Sequence, residues 1–120
     1  QVSETVYIAT KNNFIYRELG AIRVQGKKQA INVYELICKK ENYNDSLKEL
    51  LTKFQYARQM YLEQKWDKAI QAFEKCVKLE DMSNKFRKIN PSLAYIDICN
   101  EYKKNPPKND WNGVYNFKSK

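Results

Sequence analysis

Apolar positions fall into two textures that meet near residue 40. Ahead of that point they alternate in short runs. Ser3-Glu4 is a helix start, and the spacing predicts a helix to about Thr10. Asn12-Asn13 breaks it. Phe14-Ile15-Tyr16-Arg17-Glu18 is β-prone, and Gly20 punctuates the pattern. Ala21 to Gln25 reads as a second strand, with Ile22 and Val24 on one face. Gly26-Lys27-Lys28 reads as a hairpin turn, and Ala30 to Ile37 as a third strand rich in Ile, Val and Tyr. Two or three strands alone make no sheet with both faces covered, so this stretch reads as the end of a larger sheet.

Beyond residue 40 the period becomes helical. Ser46-Leu47-Lys48-Glu49 is a capping-box pattern. Leu47, Leu50, Leu51, Phe54, Ala57 and Tyr61 follow at helical spacing, to an end near Gln64. Lys65-Trp66-Asp67 forms the expected turn. Trp66, Ala69, Ile70, Phe73, Cys76 and Val77 line one face of the next helix. Two helices with a short connection form an antiparallel hairpin. Asn90-Pro91 announces a third helix with Leu93, Ile96, Cys99 and Tyr102 on its apolar face, and Pro106-Pro107 ends it. Between them, Met82, Phe86 and Ile89 fit either a short helix or an extended link. Residues 105–120 form a tail whose Trp111, Tyr115 and Phe117 are expected to pack back onto helices or sheet. The fold class is therefore α+β: a short antiparallel β segment over 1–40, a helical module over 41–104, and an aromatic tail over 105–120.

Composition narrows the chemistry. The 120 residues contain no His, which excludes imidazole zinc sites and His-dependent triads within the chain. Cys38, Cys76 and Cys99 are odd in number and widely spaced, so they read as apolar core residues of a reducing compartment. No apolar run approaches the ~20 residues of a membrane span, and no signal-peptide pattern is present. A first residue of Gln rather than Met is read as a piece of a longer protein. Net charge is +8, distributed as +4 over residues 1–40, −1 over 41–83 and +5 over 84–120. That excess raises a nucleic-acid or anionic-lipid face. No recognised motif supports it, and a bias toward Lys and Asn accounts for it, so no nucleic-acid partner is expected.

The helical hairpin resembles a tetratricopeptide repeat over Leu50 to Ser83: Tyr56, Ala57 and Met60 on the first helix, Trp66 at the turn, and Ala69, Phe73 and Cys76 on the second. Such a repeat implies a protein-interaction module that binds a peptide or a second copy of itself. Helix three would begin a capping half-repeat.

A second resemblance covers nearly the whole chain. Phe14-Ile15-Tyr16-Arg17-Glu18-Leu19, Ile22-Arg23-Val24-Gln25-Gly26-Lys27 and Val33-Tyr34-Glu35-Leu36 occur in order. They resemble the end of a class III nucleotidyl (adenylate or guanylate) cyclase catalytic domain. The tail Pro106-Pro107-Lys108-Asn109-Asp110-Trp111-Asn112-Gly113-Val114 is similar to the ending of many bacterial membrane-anchored adenylate cyclases. The resemblance implies a parent enzyme, cytoplasmic and anchored in the inner membrane through upstream segments. That parent would convert ATP to cyclic AMP and pyrophosphate at a homodimer interface, using two Mg or Mn ions held by carboxylates. The metal-binding and transition-state residues of the family lie N-terminal to the segment present here. The fragment is thus expected to be inactive, to bind no metal itself and to serve dimer positioning or regulation. The site residues the resemblance carries over are Lys27 and Gln25, toward the substrate phosphates. Lys27 matches the second lysine of the family's hairpin, Gln25 stands where the first is found, and Lys28 is a possible substitute. Arg17 and Arg23 are expected to pair with Glu18 and Glu35.

Overall fold

The computed structural model describes residues 2–24, 26, 28–83 and 90–117. The chain is α+β, and it divides into two compact units, 1–43 with 112–120, and 44–111.

The first unit holds α1 (Glu4–Thr10), β1 (Phe14–Val24), β2 (Ile31–Lys39) and β3 (Tyr115–Phe117). The Ser3 hydroxyl caps α1 by accepting from the Val6 amide at 3.3 Å. Strand order is β2-β1-β3, with β1 antiparallel to β2 and parallel to β3. The expected break at Gly20 is absent, and Phe14–Val24 is one continuous strand. Gly20 lies instead beside a register shift between Glu18 and Gly20, with φ of +131°. An extra residue absorbed as a bulge twists a strand without ending it, and glycine is the residue that tolerates such a φ. Tyr7 of α1 stacks on Tyr34 of β2, with ring centroids 4.1 Å apart, and meets Tyr16 edge-on at 5.2 Å. One face of the sheet is thereby roofed by aromatic contact. Large apolar side chains remain in solvent in this unit: Val6, Ile8, Ile31 and Leu36.

The second unit is α2 (Asp45–Leu62), α3 (Trp66–Ser83) and α4 (Pro91–Lys104). The cap of α2 is Asn44, whose side chain accepts from the Leu47 amide at 2.9 Å. The capping box expected at Ser46–Glu49 is not the helix start, because Asn44 satisfies the first-turn donor two residues earlier. The link to α3 is a Schellman closure: the Lys65 amide bonds the Met60 carbonyl and the Gln64 amide bonds that of Tyr61. Gln64 takes the left-handed position, φ +61°, where glycine is the usual occupant. The turn is therefore centred on Gln64, and Trp66 is already helical. On α4, Asn90 caps the amides of Ser92 and Leu93 at 2.9 and 3.3 Å, and Pro91 opens the helix as expected.

The core of this unit joins Leu50, Phe54, Ala57, Met60 and Tyr61 to Ala69, Ala72, Phe73 and Cys76. The buried stripe of α4 is Ser92, Tyr95 and Cys99: Cys99 is buried as expected, whereas Ser92 and Tyr95 take the places expected of Leu93 and Ile96, and Leu93 is half exposed. The aromatic ring of Tyr95 decides that rotation. It stacks on Phe73 at 4.8 Å and meets Phe54 edge-on at 5.9 Å, contacts that Leu93 cannot offer. No helix is long and apolar enough to cross a membrane among the described residues.

Candidate functional site

The β1–β2 hairpin carries the sequence-derived site. Its two strands are tied near the middle by Arg17, which is 3% exposed. Arg17 sits directly opposite Glu35 in the register and donates to its Oε2 from Nε at 2.9 Å and from Nη2 at 2.5 Å. The expected pairing of Arg17 with Glu35 is what the structure contains. Arg23 lies on the same strand, not an adjacent one, and its buried Nε has no hydrogen-bond partner among the described residues. Gly26 is exposed at the hairpin tip with φ of +90°. A Cβ there would meet nothing within 4 Å, so the glycine answers to backbone conformation and not to a close neighbour. Gln25 and Lys27, the two residues assigned to phosphate binding, lie outside the described residues. Lys28 is exposed.

The acidic side chains do not converge. Among the described residues, no group of three or more His, Cys, Asp or Glu could hold a metal ion. Asp45 and Asp67 occupy the first turns of α2 and α3, where a carboxylate offsets the positive end of the helix dipole. Asp67 also accepts from Lys103 Nζ at 2.5 Å. Asp97 and Asp110 are exposed. This donor set does not fit the two-ion chemistry implied by the cyclase resemblance, and no step through a metal follows from these residues.

The helical unit holds the densest chemistry. Tyr61 is buried among Trp66, Tyr95, Tyr102 and Trp111, at centroid distances of 5.7, 5.0, 6.2 and 5.2 Å. Trp66 and Tyr102 stack at 5.1 Å. Trp111 of the tail thus packs on the helices as expected, while Tyr115 enters β3. Burial first, then the neighbouring phenols Tyr95 and Tyr102, pushes the Tyr61 phenol well above its ordinary range. The rings are in mutual contact, so the cluster is a packed joint and not an open cage. Burial also raises the Cys99 thiol to about 12 and raises that of Cys38. A thiol is nucleophilic as thiolate, so burial disfavours the reactive form of Cys99. No disulfide joins the three cysteines.

Two surface depressions flank the hairpin. One, about 470 Å³, lies at the α2–α3 turn beside Trp66, Asp67 and Lys103. The other, about 390 Å³, runs between the helices. It is lined by Thr52, Lys53 and Tyr56 of α2 and by Lys68, Gln71, Ala72 and Lys75 of α3. Sequence reasoning missed this groove because it followed the apolar stripe. The available signal was the seven-residue spacing of Lys68 and Lys75, which puts both on one flank of α3. No family model matches the chain, and no curated protein and no solved structure is similar to it at a significant level.

Proposed function

We propose that this chain is the C-terminal part of a class III nucleotidyl cyclase, with a helical unit that positions the catalytic dimer or regulates it. The observation that carries the reading is the antiparallel pairing of β1 with β2, which brings the two strands of the resemblance, Phe14–Val24 and Ile31–Lys39, side by side. The part-buried Arg17–Glu35 pair ties these strands. The exposed Ile31 and Leu36 further support it, since such a sheet gains by packing on more of its own domain. In this reading Lys27, with Gln25, approaches the nucleotide phosphates. The parent acts as a cytoplasmic homodimer on ATP, and its two Mg or Mn ions are held by carboxylates upstream.

The test compares the 120-residue chain with the protein from its complete reading frame, both given ATP or GTP with Mn. The chain alone yields no cyclic nucleotide. In the complete protein Lys27→Ala raises KM for the nucleotide more than it lowers kcat. Turnover by the isolated chain, lost on mutating a residue within it, overturns the reading. So does a reading frame without a paired carboxylate metal motif upstream.

A second reading takes the helical unit as a tetratricopeptide-like interaction module in its own right. The groove between α2 and α3 favours it, since of its lining residues only Ala72 belongs to the hairpin's core. Self-association, read from solution mass, tests it directly.

A further inference from the structure

We infer that the groove between α2 and α3 is a docking site for an acidic peptide segment, an inference that rests on the interaction-module reading and not on the cyclase one. Charge sorting carries it. Residues 41–83 hold 7 basic and 8 acidic side chains, so in sequence the segment looks electrically featureless. Folding separates the two signs. Lys53, Lys68 and Lys75 converge on one groove, and no acidic residue lines it among the described residues. Three of the eight acids are held or buried elsewhere. Asp67 is held by Lys103 at 2.5 Å, and Glu63 lies between Gln59 and Lys65 at 2.8 and 3.0 Å. Glu80 is buried. Glu49 approaches the groove, 3.7 Å from Lys53, with both side chains about half exposed. That is a surface contact a bound carboxylate displaces at little cost.

The groove is also not purely charged. Tyr56 is 55% exposed, and Ala72 with the lysine stems adds an apolar floor. The ring partners of α4 (Phe54, Tyr61, Trp66 and Phe73) line none of it, so the third helix leaves this flank of the hairpin open. Lys68 and Lys75 are seven residues apart on one helix, a rise of about 10 Å. A polyproline-II peptide, with three residues per turn, puts carboxylates three residues apart on one side at about the same distance. A volume of about 390 Å³ takes a few side chains, whereas a nucleic-acid strand needs a longer basic track with stacking rings.

The test uses the 120-residue chain with a fluorescein-labelled octapeptide of glutamate and leucine in 50 mM salt. Oligothymidylate of matched charge and inorganic phosphate serve as comparators. The peptide binds and shifts the backbone amide resonances of Thr52, Tyr56, Gln71 and Ala72. Lys68→Glu with Lys75→Glu weakens it at least tenfold, and Tyr56→Ala at least threefold. Lys11→Glu with Lys104→Glu, the same charge change away from the groove, weakens it less than twofold. All replaced side chains are exposed, so unchanged circular dichroism accompanies each variant. Equal loss in both charge-reversal pairs overturns the inference, because the field of a +8 chain then suffices. Tighter oligothymidylate binding lost in the groove variants makes the groove a nucleic-acid site and overturns it. Phosphate that reproduces the shifts with no effect of Tyr56→Ala reduces it to a bare anion site. Absence of peptide binding with self-association intact removes this inference alone; absence of both removes the module reading as well.

Discussion

The two units of the chain solve the burial problem differently. The helical unit closes its core with its own residues: Phe54, Tyr61, Ala69, Phe73, Cys76 and Cys99 are all essentially sealed from solvent. Among its described residues the sheet unit buries Val33 and Val114 as apolar side chains, and Arg17, a charged one, is hidden more fully than either. Meanwhile Val6, Ile8, Ile31 and Leu36 stay in water. Helices with 3.6-residue periodicity present a continuous stripe, and three of them cover one another. A three-stranded sheet has two faces, and one short helix roofs part of one. The lesson is that stability in the first unit hangs on polar specificity and in the second on packing.

The largest effect that sharpens this contrast is expected from Phe73→Ala. Phe73 is fully buried and packs on both Phe54 and Tyr95, so its removal costs about 3–5 kcal/mol. Urea unfolding followed by tryptophan fluorescence reads the helical unit, since Trp66 and Trp111 both lie in its aromatic cluster. A loss under 1 kcal/mol would remove the claim that this core is tightly packed.

Arg17→Ala is expected to act on the other unit. It leaves the Glu35 carboxylate, 12% exposed, without its guanidinium, and breaking such a pair costs about 3–5 kcal/mol. Amide exchange in β1 and β2 should rise while exchange in α2 and α3 stays unchanged. The double variant Arg17→Met, Glu35→Leu should recover most of the loss, because no uncompensated charge is left behind. Failure of the double variant to recover protection would show that the pair supplies more than charge compensation.

The smallest effects test helix starts. Asn44→Ala removes the bond to the Leu47 amide and should cost about 1 kcal/mol. Ser46→Ala should change stability by a few tenths at most, since Ser46 lies inside the helix. Reversed magnitudes in thermal melts would restore Ser46 as the cap.

Much of this was legible in the chain. The helix over 91–104, opened by Asn90 and Pro91, is a local matter of one side chain capping two amides and a ring that needs no amide partner. The change from strand texture to helix texture near residue 40 follows from periodicity alone. The α2 cap was misassigned because Ser46 and Asn44 both satisfy the local rule, and only the backbone decides between them. The continuity of β1 through Gly20 was hidden because a bulge and a break carry the same glycine signal. The Arg17–Glu35 pairing was among the structural pairings the sequence suggested, whereas Gln25 and Lys27, the cyclase-derived site, stand outside the described residues.

By itself, then, the sequence determined the change from strand to helix near residue 40, the three-helix module and the α+β class, because these rest on contacts within a few residues. Tertiary structure alone decided which face of α4 is buried, where the tail aromatics go and how the lysines of a nearly neutral segment gather in one groove. Those outcomes depend on ring geometry between helices and on residues 15 or more positions apart, distances over which no local pattern can choose.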